Sequence, residues 1–225
     1  MPRRFVFGDI HGCSRALESL FENLALQDGD ELILLGDVVD RGPATRRVLD
    51  GLLSLEPRCR LTFIRGNHEE MLLRALKAGE PAQVSFWLRH GGEATLASYG
   101  GALEHVPEAH RDLLARSIPY LETPCEILVH ANLEPGVELA EQSGEWLRWQ
   151  HLTGLEFPHP SGKRVICGHS GVGTELPLLQ SGWLCLDTLV HRGGYLTCLD
   201  IDTGELFQAS QTGEYRCGIG LDDLA

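Results

Sequence analysis

Five short apolar runs along the chain each end on a polar motif. Phe5-Val6-Phe7 leads into Gly8-Asp9-Ile10-His11-Gly12, and Leu32-Ile33-Leu34-Leu35 into Gly36-Asp37-Val38-Val39-Asp40-Arg41-Gly42. Leu61-Thr62-Phe63-Ile64 leads through Arg65 to Gly66-Asn67-His68-Glu69. Ile127-Leu128-Val129 ends at His130-Ala131-Asn132, and Val165-Ile166-Cys167 at Gly168-His169-Ser170. Runs this short, bounded by glycine and polar residues, predict buried strands.

The first third alternates these strands with helical patterns. Leu17, Leu20, Phe21 and Leu24 share one helical face, with Ser14 as the expected cap. Val48, Leu49, Leu52, Leu53 and Leu55 mark a second helix, which Pro43 fits as an opening. Met71, Leu72, Ala75 and Leu76 place a third over Glu69 to Ala78. Strand, helix, strand, helix, strand predicts a parallel sheet. Residues 82–123 read as a helical subdomain without ligand motifs. In the last third, strands are expected over Trp183 to Leu186, Tyr195 to Ile201 and Glu205 to Gln208. Asp202-Thr203-Gly204 is the hairpin turn between the last two. The fold expected is α/β, two packed mixed sheets flanked by helices, in one domain over 1–225.

Composition narrows the function. The 225 residues carry a formal net charge of -13, which argues against nucleic acid as the main partner. It does not exclude a phosphorylated substrate, because divalent ions and arginines can make one site locally positive. Seven cysteines, an odd number without a CxxC pair, argue against a zinc knuckle or disulfide framework. Cys167 and Cys198 read as core thiols, and Cys13 as packing at a helix start. The first strand begins straight after Met1-Pro2-Arg3-Arg4, and no apolar run is long enough to span a bilayer. A soluble cytoplasmic protein without a membrane partner is the expectation. The sequence leaves the oligomeric state open.

The motifs supply oxygen and nitrogen ligands at five strand ends, where open α/β folds build their sites. Asp9 and His11, alternating along an extended segment, reach one ion. Asp37 can bridge two ions through its two oxygens, and Asn67, His130 and His169 can complete the second. A plainer alternative, that Asp9 and Asp37 cap the following helices, leaves the other three motifs unexplained. His68, beside Asn67 but directed differently, suits a general acid that protonates a leaving oxygen. Asp40 can orient it and raise its pKa. Arg41 offers a planar fork for two phosphate oxygens. Of the remaining histidines, His191, beside Arg192, is the hardest to assign to surface or packing.

These five motifs, in order and spacing over essentially the whole chain, resemble the signature set of the PPP-type serine/threonine protein phosphatases. The likeness is to the small bacterial and phage members, a group that includes the phage lambda phosphatase. Trp87-Leu88-x-x-Gly91-Gly92 and Trp146-Leu147-Arg148 also resemble segments of that group. The resemblance implies a calcineurin-like fold and two divalent ions, with manganese favoured and Fe, Zn, Co or Mg admissible. Asp9, His11 and Asp37 would hold the first ion, and Asp37, Asn67, His130 and His169 the second. A hydroxide bridging the ions would attack a phosphomonoester, His68 would act as acid with Asp40 behind it, and Arg41 and Arg148 would clamp the phosphate. A phosphorylated protein is the expected substrate, or a small phosphoester. Dinucleoside polyphosphate hydrolases of the diadenosine tetraphosphate type share most motifs. They typically lack the Asp of Asp40-Arg41 and commonly end the third motif in Asp rather than Glu69. A non-catalytic metal-binding scaffold is a third reading, opposed by the intact ligand set. The group's Asp-Thr-Gly turn appears as Asp187-Thr188-Leu189, with glycines displaced to Gly193-Gly194.

Overall fold

A computed structural model describes residues 2–78, 80–171, 173 and 175–224. The predicted βαβ rhythm is present: β1 (Arg4–Phe7), α1 (Ser14–Leu24), β2 (Glu31–Leu34), α2 (Thr45–Leu55), β3 (Arg60–Phe63) and α3 (Asn67–Ala78). Ser14 begins α1 rather than capping it, because the cap position falls on Cys13, with no side-chain cap. Pro43 lies in the turn before α2, whose cap is Ala44. The third helix begins two residues earlier than its apolar spacing suggests, so Asn67 and His68 sit in its first turn.

Residues 81–115 hold α4 (Pro81–Trp87), α5 (Glu93–Ser98) and α6 (Glu108–Ala115). Between the first two the helix kinks, with Gly91 at φ 103°. The helical expectation stops short of 123, because Tyr120–Glu122 forms β4, antiparallel to β5 (Glu126–Val129). Then follow α7 (Gly144–Trp149), β6 (Arg164–Cys167), β7 (Leu178–Gln180), β8 (Trp183–Cys185), β9 (Asp187–Thr188), β10 (Tyr195–Asp200), β11 (Glu205–Ser210) and β12 (Tyr215–Gly220).

Two mixed sheets result. The first runs β12-β11-β10-β1-β2-β3, with β9 added to β10; the second runs β4-β5-β6-β8-β7. β1, β2 and β3 are parallel, as are β5, β6 and β8. Alternation along each strand sorts side chains between layers. Val6, Ile33, Leu128, Ile166 and Leu199 fill the space between the sheets. Phe5, Phe7, Leu32 and Leu34 face the opposite way, onto Leu17, Leu20, Leu49 and Leu72 of α1 to α3. On the outer face of the second sheet, Val129, Val165 and Cys167 pack against Leu147 of α7. Cys13, Cys167 and Cys198 are buried free thiols. Among the described residues no helix is long and apolar enough to cross a membrane. The carboxyl ends of β1, β2, β3, β5 and β6 lead into the same crest of loops.

Candidate metal centre and active site

The crest loops are held in unusual backbone geometry. Eight described residues other than glycine have φ in the left-handed region, and six of them line this centre: His11, Asp37, Asp40, Arg41, His169 and Leu189. Such strain persists only where the surroundings over-determine it, and it clusters at functional sites. His11, at φ 46°, is therefore in a turn and not in the extended segment its alternation with Asp9 suggested. The turn still brings its Nε2 to 3.9 Å from Asp9 Oδ2 and 3.5 Å from Asp37 Oδ2. Gly66 and Gly168 are required by close approach: a Cβ on either would collide with the carboxylate of Asp37 or Asp9.

Glu69 ties two of these loops together. Its carboxylate accepts from the backbone N–H groups of Asp37 (2.8 Å), Val38 (2.8 Å), Val39 (3.3 Å) and Gly66 (2.9 Å). Burial and the charge of Asp37 push its pKa up, to about 7, against the pull of those donors.

Hydrogen bonds to the far sides of the rings decide which nitrogen faces inward. His130 Nδ1 donates to Leu35 O (2.8 Å), leaving Nε2 with a lone pair. His169 Nε2 donates to Trp149 O (3.1 Å), leaving Nδ1 bare. These two bare nitrogens are 3.2 Å apart, and His130 Nε2 is 3.4 Å from Asp37 Oδ1 and 3.2 Å from Asn67 Oδ1. Four acceptors thus converge with no side-chain proton among them, and only Asp37 Oδ1 has a backbone donor, His68 N (3.1 Å). Within the protein alone, the Asn67 amide would relieve this by turning over, so that its NH2 donates to His130 and to both Asp37 oxygens. A divalent cation relieves it with the amide oxygen inward, and the donor set of two imidazoles, an amide oxygen and a carboxylate fits such an ion.

The second cluster is His11, Asp37 and His68. His11 Nδ1 donates to Val39 O (2.9 Å), so Nε2 is again the bare nitrogen. Here Arg41 competes: its Nη1 lies 3.0 Å from His11 Nε2. A cation on that lone pair and the Arg41 contact are mutually exclusive. The electrostatics match ligands awaiting a cation. Burial lowers the pKa of His11, His130 and His169, the last to about 3. Burial, then Asp187 and Asp37, push Asp9 well above the usual carboxylate range. Burial also pushes Asp37 up, but the four histidines around it pull the other way, and the net shift is downward.

His68 is built differently. Its Nδ1 is 2.8 Å from Asp40 Oδ2, while its Nε2 is buried without a partner. Asp40 is itself clamped. Trp87 Nε1 donates to Oδ1 (2.9 Å) and Oδ2 (3.0 Å), and Thr95 Oγ1 donates to Oδ1 (2.8 Å). Burial lowers the His68 pKa, yet the charge of Asp37 and the bond to Asp40 overcome it, and the net shift is upward. Trp87 and Thr95 come from the helices that carried no ligand motif. The Trp-Leu-x-x-Gly-Gly pattern was the available signal: Gly92 lies flat on the Trp87 indole, and Gly91 O accepts from Arg41 N (3.0 Å).

Arg148 lies at the rim beside His130, its Nε 3.0 Å from Glu70 Oε2. Trp149 Nε1 donates to the same carboxylate (3.0 Å). A cleft of about 480 Å³ opens here, lined by Glu70, Arg74, Phe86, Arg148 and Trp149. Two residues that the motif reading left out also reach the centre. Asp187 is buried, with burial raising its pKa to about 6 and Asp37 adding to the rise. His191 packs its ring edge-on against His11, with centroids 4.6 Å apart.

The chain's relatives agree with this geometry. Residues 2–173 match the family model for calcineurin-like phosphoesterases. Serine/threonine-protein phosphatase 1 of Salmonella typhimurium is 29% identical over 211 residues, covering 92% of this chain and 89% of that protein. An asymmetrical bis(5'-nucleosyl)-tetraphosphatase of Anoxybacillus flavithermus is 32% identical over 239 residues, covering 93% and 95%. Among solved structures, one provisionally described as a diadenosine tetraphosphatase superposes with a TM-score of 0.71 at 19% identity, covering 97% of this chain and 96% of that one. A cold-active protein tyrosine phosphatase superposes at 0.68 and 15% identity, covering 96% and 78%. The chain therefore belongs to the calcineurin-like phosphoesterase family and is a metallophosphoesterase, a hydrolase.

Proposed function

We propose that the chain is a phosphomonoesterase that acts on phosphoserine and phosphothreonine in proteins. The observation that carries the reading is the pairing of a ligand cluster whose facing imidazole nitrogens carry no proton with a clamped Asp40–His68 pair whose Nε2 has no hydrogen-bond partner. Asp9, His11 and Asp37 hold one divalent ion, and Asp37, Asn67, His130 and His169 the other. Bound there, the two ions supply Lewis acidity toward the phosphoryl oxygens and lower the pKa of water. We take manganese as the active metal, for the carboxylate oxygens in both sets and the amide oxygen in the second; the imidazoles equally admit iron or zinc.

The chain's own groups do the rest. Asp40 fixes the His68 ring and keeps Nδ1–H engaged, so the proton available to a leaving alkoxide is on Nε2. Trp87 and Thr95 hold Asp40 in place. Glu69 fixes the loop that presents Asp37. Arg41, freed from His11, offers its fork to non-bridging oxygens, and Arg148 adds positive charge from the rim. An alkyl phosphate needs such an acid most, because a serine alkoxide is a poor leaving group. That supports a phosphoprotein substrate, as does the relative named serine/threonine phosphatase.

One observation favours a second reading. The cleft beside Arg148 offers the faces of Phe86 and Trp149, surfaces on which a nucleobase stacks. Hydrolysis of dinucleoside polyphosphates, the activity in the name of the Anoxybacillus relative, is that alternative. The deciding experiment compares a phosphoserine peptide, p-nitrophenyl phosphate and diadenosine tetraphosphate with added Mn. The phosphopeptide should show the highest kcat/KM of the two biological substrates. A clear preference for the dinucleotide would transfer the assignment to the second reading.

A further inference from the structure

Among the described residues only four buried side-chain atoms lack a hydrogen-bond partner: His68 Nε2, both ring nitrogens of His191, and Gln208 Oε1. Three of the four belong to two rings that flank a third. His68 and His191 each pack edge-on against His11, with centroids at 4.8 and 4.6 Å and interplanar angles of 83° and 76°. A buried unpaired polar group is costly, and native structures keep few of them without a reason. The acid role accounts for His68. Nothing assigned so far accounts for His191.

The ring is delivered deliberately. It sits in the short helical turn Val190–Arg192, entered through Leu189 at φ 57° and left through Gly193 at φ 93°. Asp187 Oδ1 accepts from Leu189 N (3.0 Å), and Leu189 O accepts from Arg192 N (2.8 Å) and Gly194 N (3.1 Å). A leucine in a left-handed conformation carries strain that a simple packing wall would not need.

The surroundings identify the missing partner. An imidazole carries at least one N–H in either protonation state, so the partner must accept a hydrogen bond. A cation does not suit the ring: His191 belongs to neither ligand cluster, and the charges that act on it most strongly are Arg41 and Arg192, ahead of His68 and Asp37. Two guanidinium groups and a partnerless N–H define a place for an anion.

We propose that His191 is a substrate-contacting residue that donates its ring N–H to a phosphoryl oxygen, across His11 from the acid His68, once Arg41 has left the His11 lone pair. This rests on the phosphoesterase reading above and adds a donor that the five motifs do not contain. Arg192, exposed and without an ion-pair partner among the described residues, extends the same positive rim.

Two substitutions separate donor from packing. His191→Phe keeps a flat ring against His11 and removes the N–H. His191→Gln removes the ring and keeps an amide N–H. Each variant is loaded with Mn, its metal content is measured, inorganic phosphate is titrated by calorimetry, and kcat/KM is measured on the phosphoserine peptide. His191→Phe should keep both ions, bind phosphate roughly 10- to 100-fold more weakly and lose kcat/KM in proportion, the worth of one hydrogen bond to a charged group. His191→Gln should recover most of that loss. If His191→Phe matches wild type within about twofold, or if either variant loses an ion along with activity, the ring is a prop for His11 and the proposal is overturned. Should His191→Phe fail to fold, His191→Gln decides: phosphate affinity as poor as in a His191→Ala variant would count against the donor. Wild-type protein inactive on every phosphoester would instead overturn the parent reading.

Discussion

The two candidate cation pockets share Asp37 and the far-side carbonyl bonds that turn a bare imidazole nitrogen inward, but differ in what meets those nitrogens. In the pocket of Asn67, His130 and His169, two bare nitrogens, an amide oxygen and a carboxylate oxygen converge with no side-chain donor among them. In the pocket of Asp9 and His11, the bare nitrogen already has a guanidinium on it, and two rings that carry partnerless nitrogens, His68 and His191, pack edge-on against His11. On the proposed reading an ion alone would complete one pocket, whereas the other would need an ion, a moved arginine and a substrate together. The difference teaches that the first holds the architecture and the second faces the chemistry. Distances to Asp37 are similar in both, 3.4 and 3.5 Å, so the contrast lies in hydrogen bonding and not in spacing.

The largest expected effect removes what the pockets share. Asp37→Asn should cost at least roughly 10³-fold in kcat and reduce bound metal at both positions, because Asp37 contributes to each ligand set. Elemental analysis after gel filtration checks it. His130→Ala should deplete the second ion while the first still binds; equal depletion of both would break the contrast. Next in size is the acid. His68→Asn should lower kcat on the phosphoserine peptide roughly 10²- to 10⁴-fold, with a smaller loss on p-nitrophenyl phosphate, whose leaving group needs no proton. Equal losses on both substrates would remove His68 from the acid role.

Smaller effects sharpen the picture. Trp87→Phe deletes the N–H that Asp40 accepts and leaves a cavity beside it, and should cost about 3- to 10-fold in kcat without loss of metal. Steady-state kinetics with metal analysis reads it. Arg148→Ala should be the mildest, about twofold to tenfold in kcat/KM, since Arg148 is already paired with Glu70 at the rim. A loss as large as that of Arg41→Ala would move Arg148 into direct contact with the phosphate.

Legibility in the sequence follows the same divide. Ligands that stand within a few residues of a strand end, such as Asp9, Asp37 and His130, are announced by the strand itself, because β1, β2 and β5 deliver them to one crest. The partners of Asp40 are not announced, since Trp87 and Thr95 lie 47 and 55 positions away and reach it only through tertiary packing. Glu69 reads as a motif residue, yet its work is to accept backbone N–H groups from a loop about 30 positions earlier. His191 stands out in the sequence only as the histidine hardest to assign, in a strand-end turn beside Arg192, and its orphaned nitrogens are what suggest a role. In the fold, the short strands β4, β7 and β9 lie outside the expected ones, since two or three residues carry no period; β8, equally short, is legible only because Trp183 to Leu186 is a wholly apolar run. The edge strand β12 was missed because Gly218 and Gly220 interrupt its alternation. Ser14 misled because its side chain lies in the first helical turn, where Cys13 already occupies the cap position.

The most direct test of the two-pocket account is a crystal of the protein soaked in Mn and measured for anomalous scattering. The account predicts two peaks about 3.5 Å apart on either side of Asp37, with the Asn67 oxygen turned toward one and Arg41 withdrawn from His11 beside the other. A single peak, or two peaks with Arg41 still bonded to His11 Nε2, would contradict it.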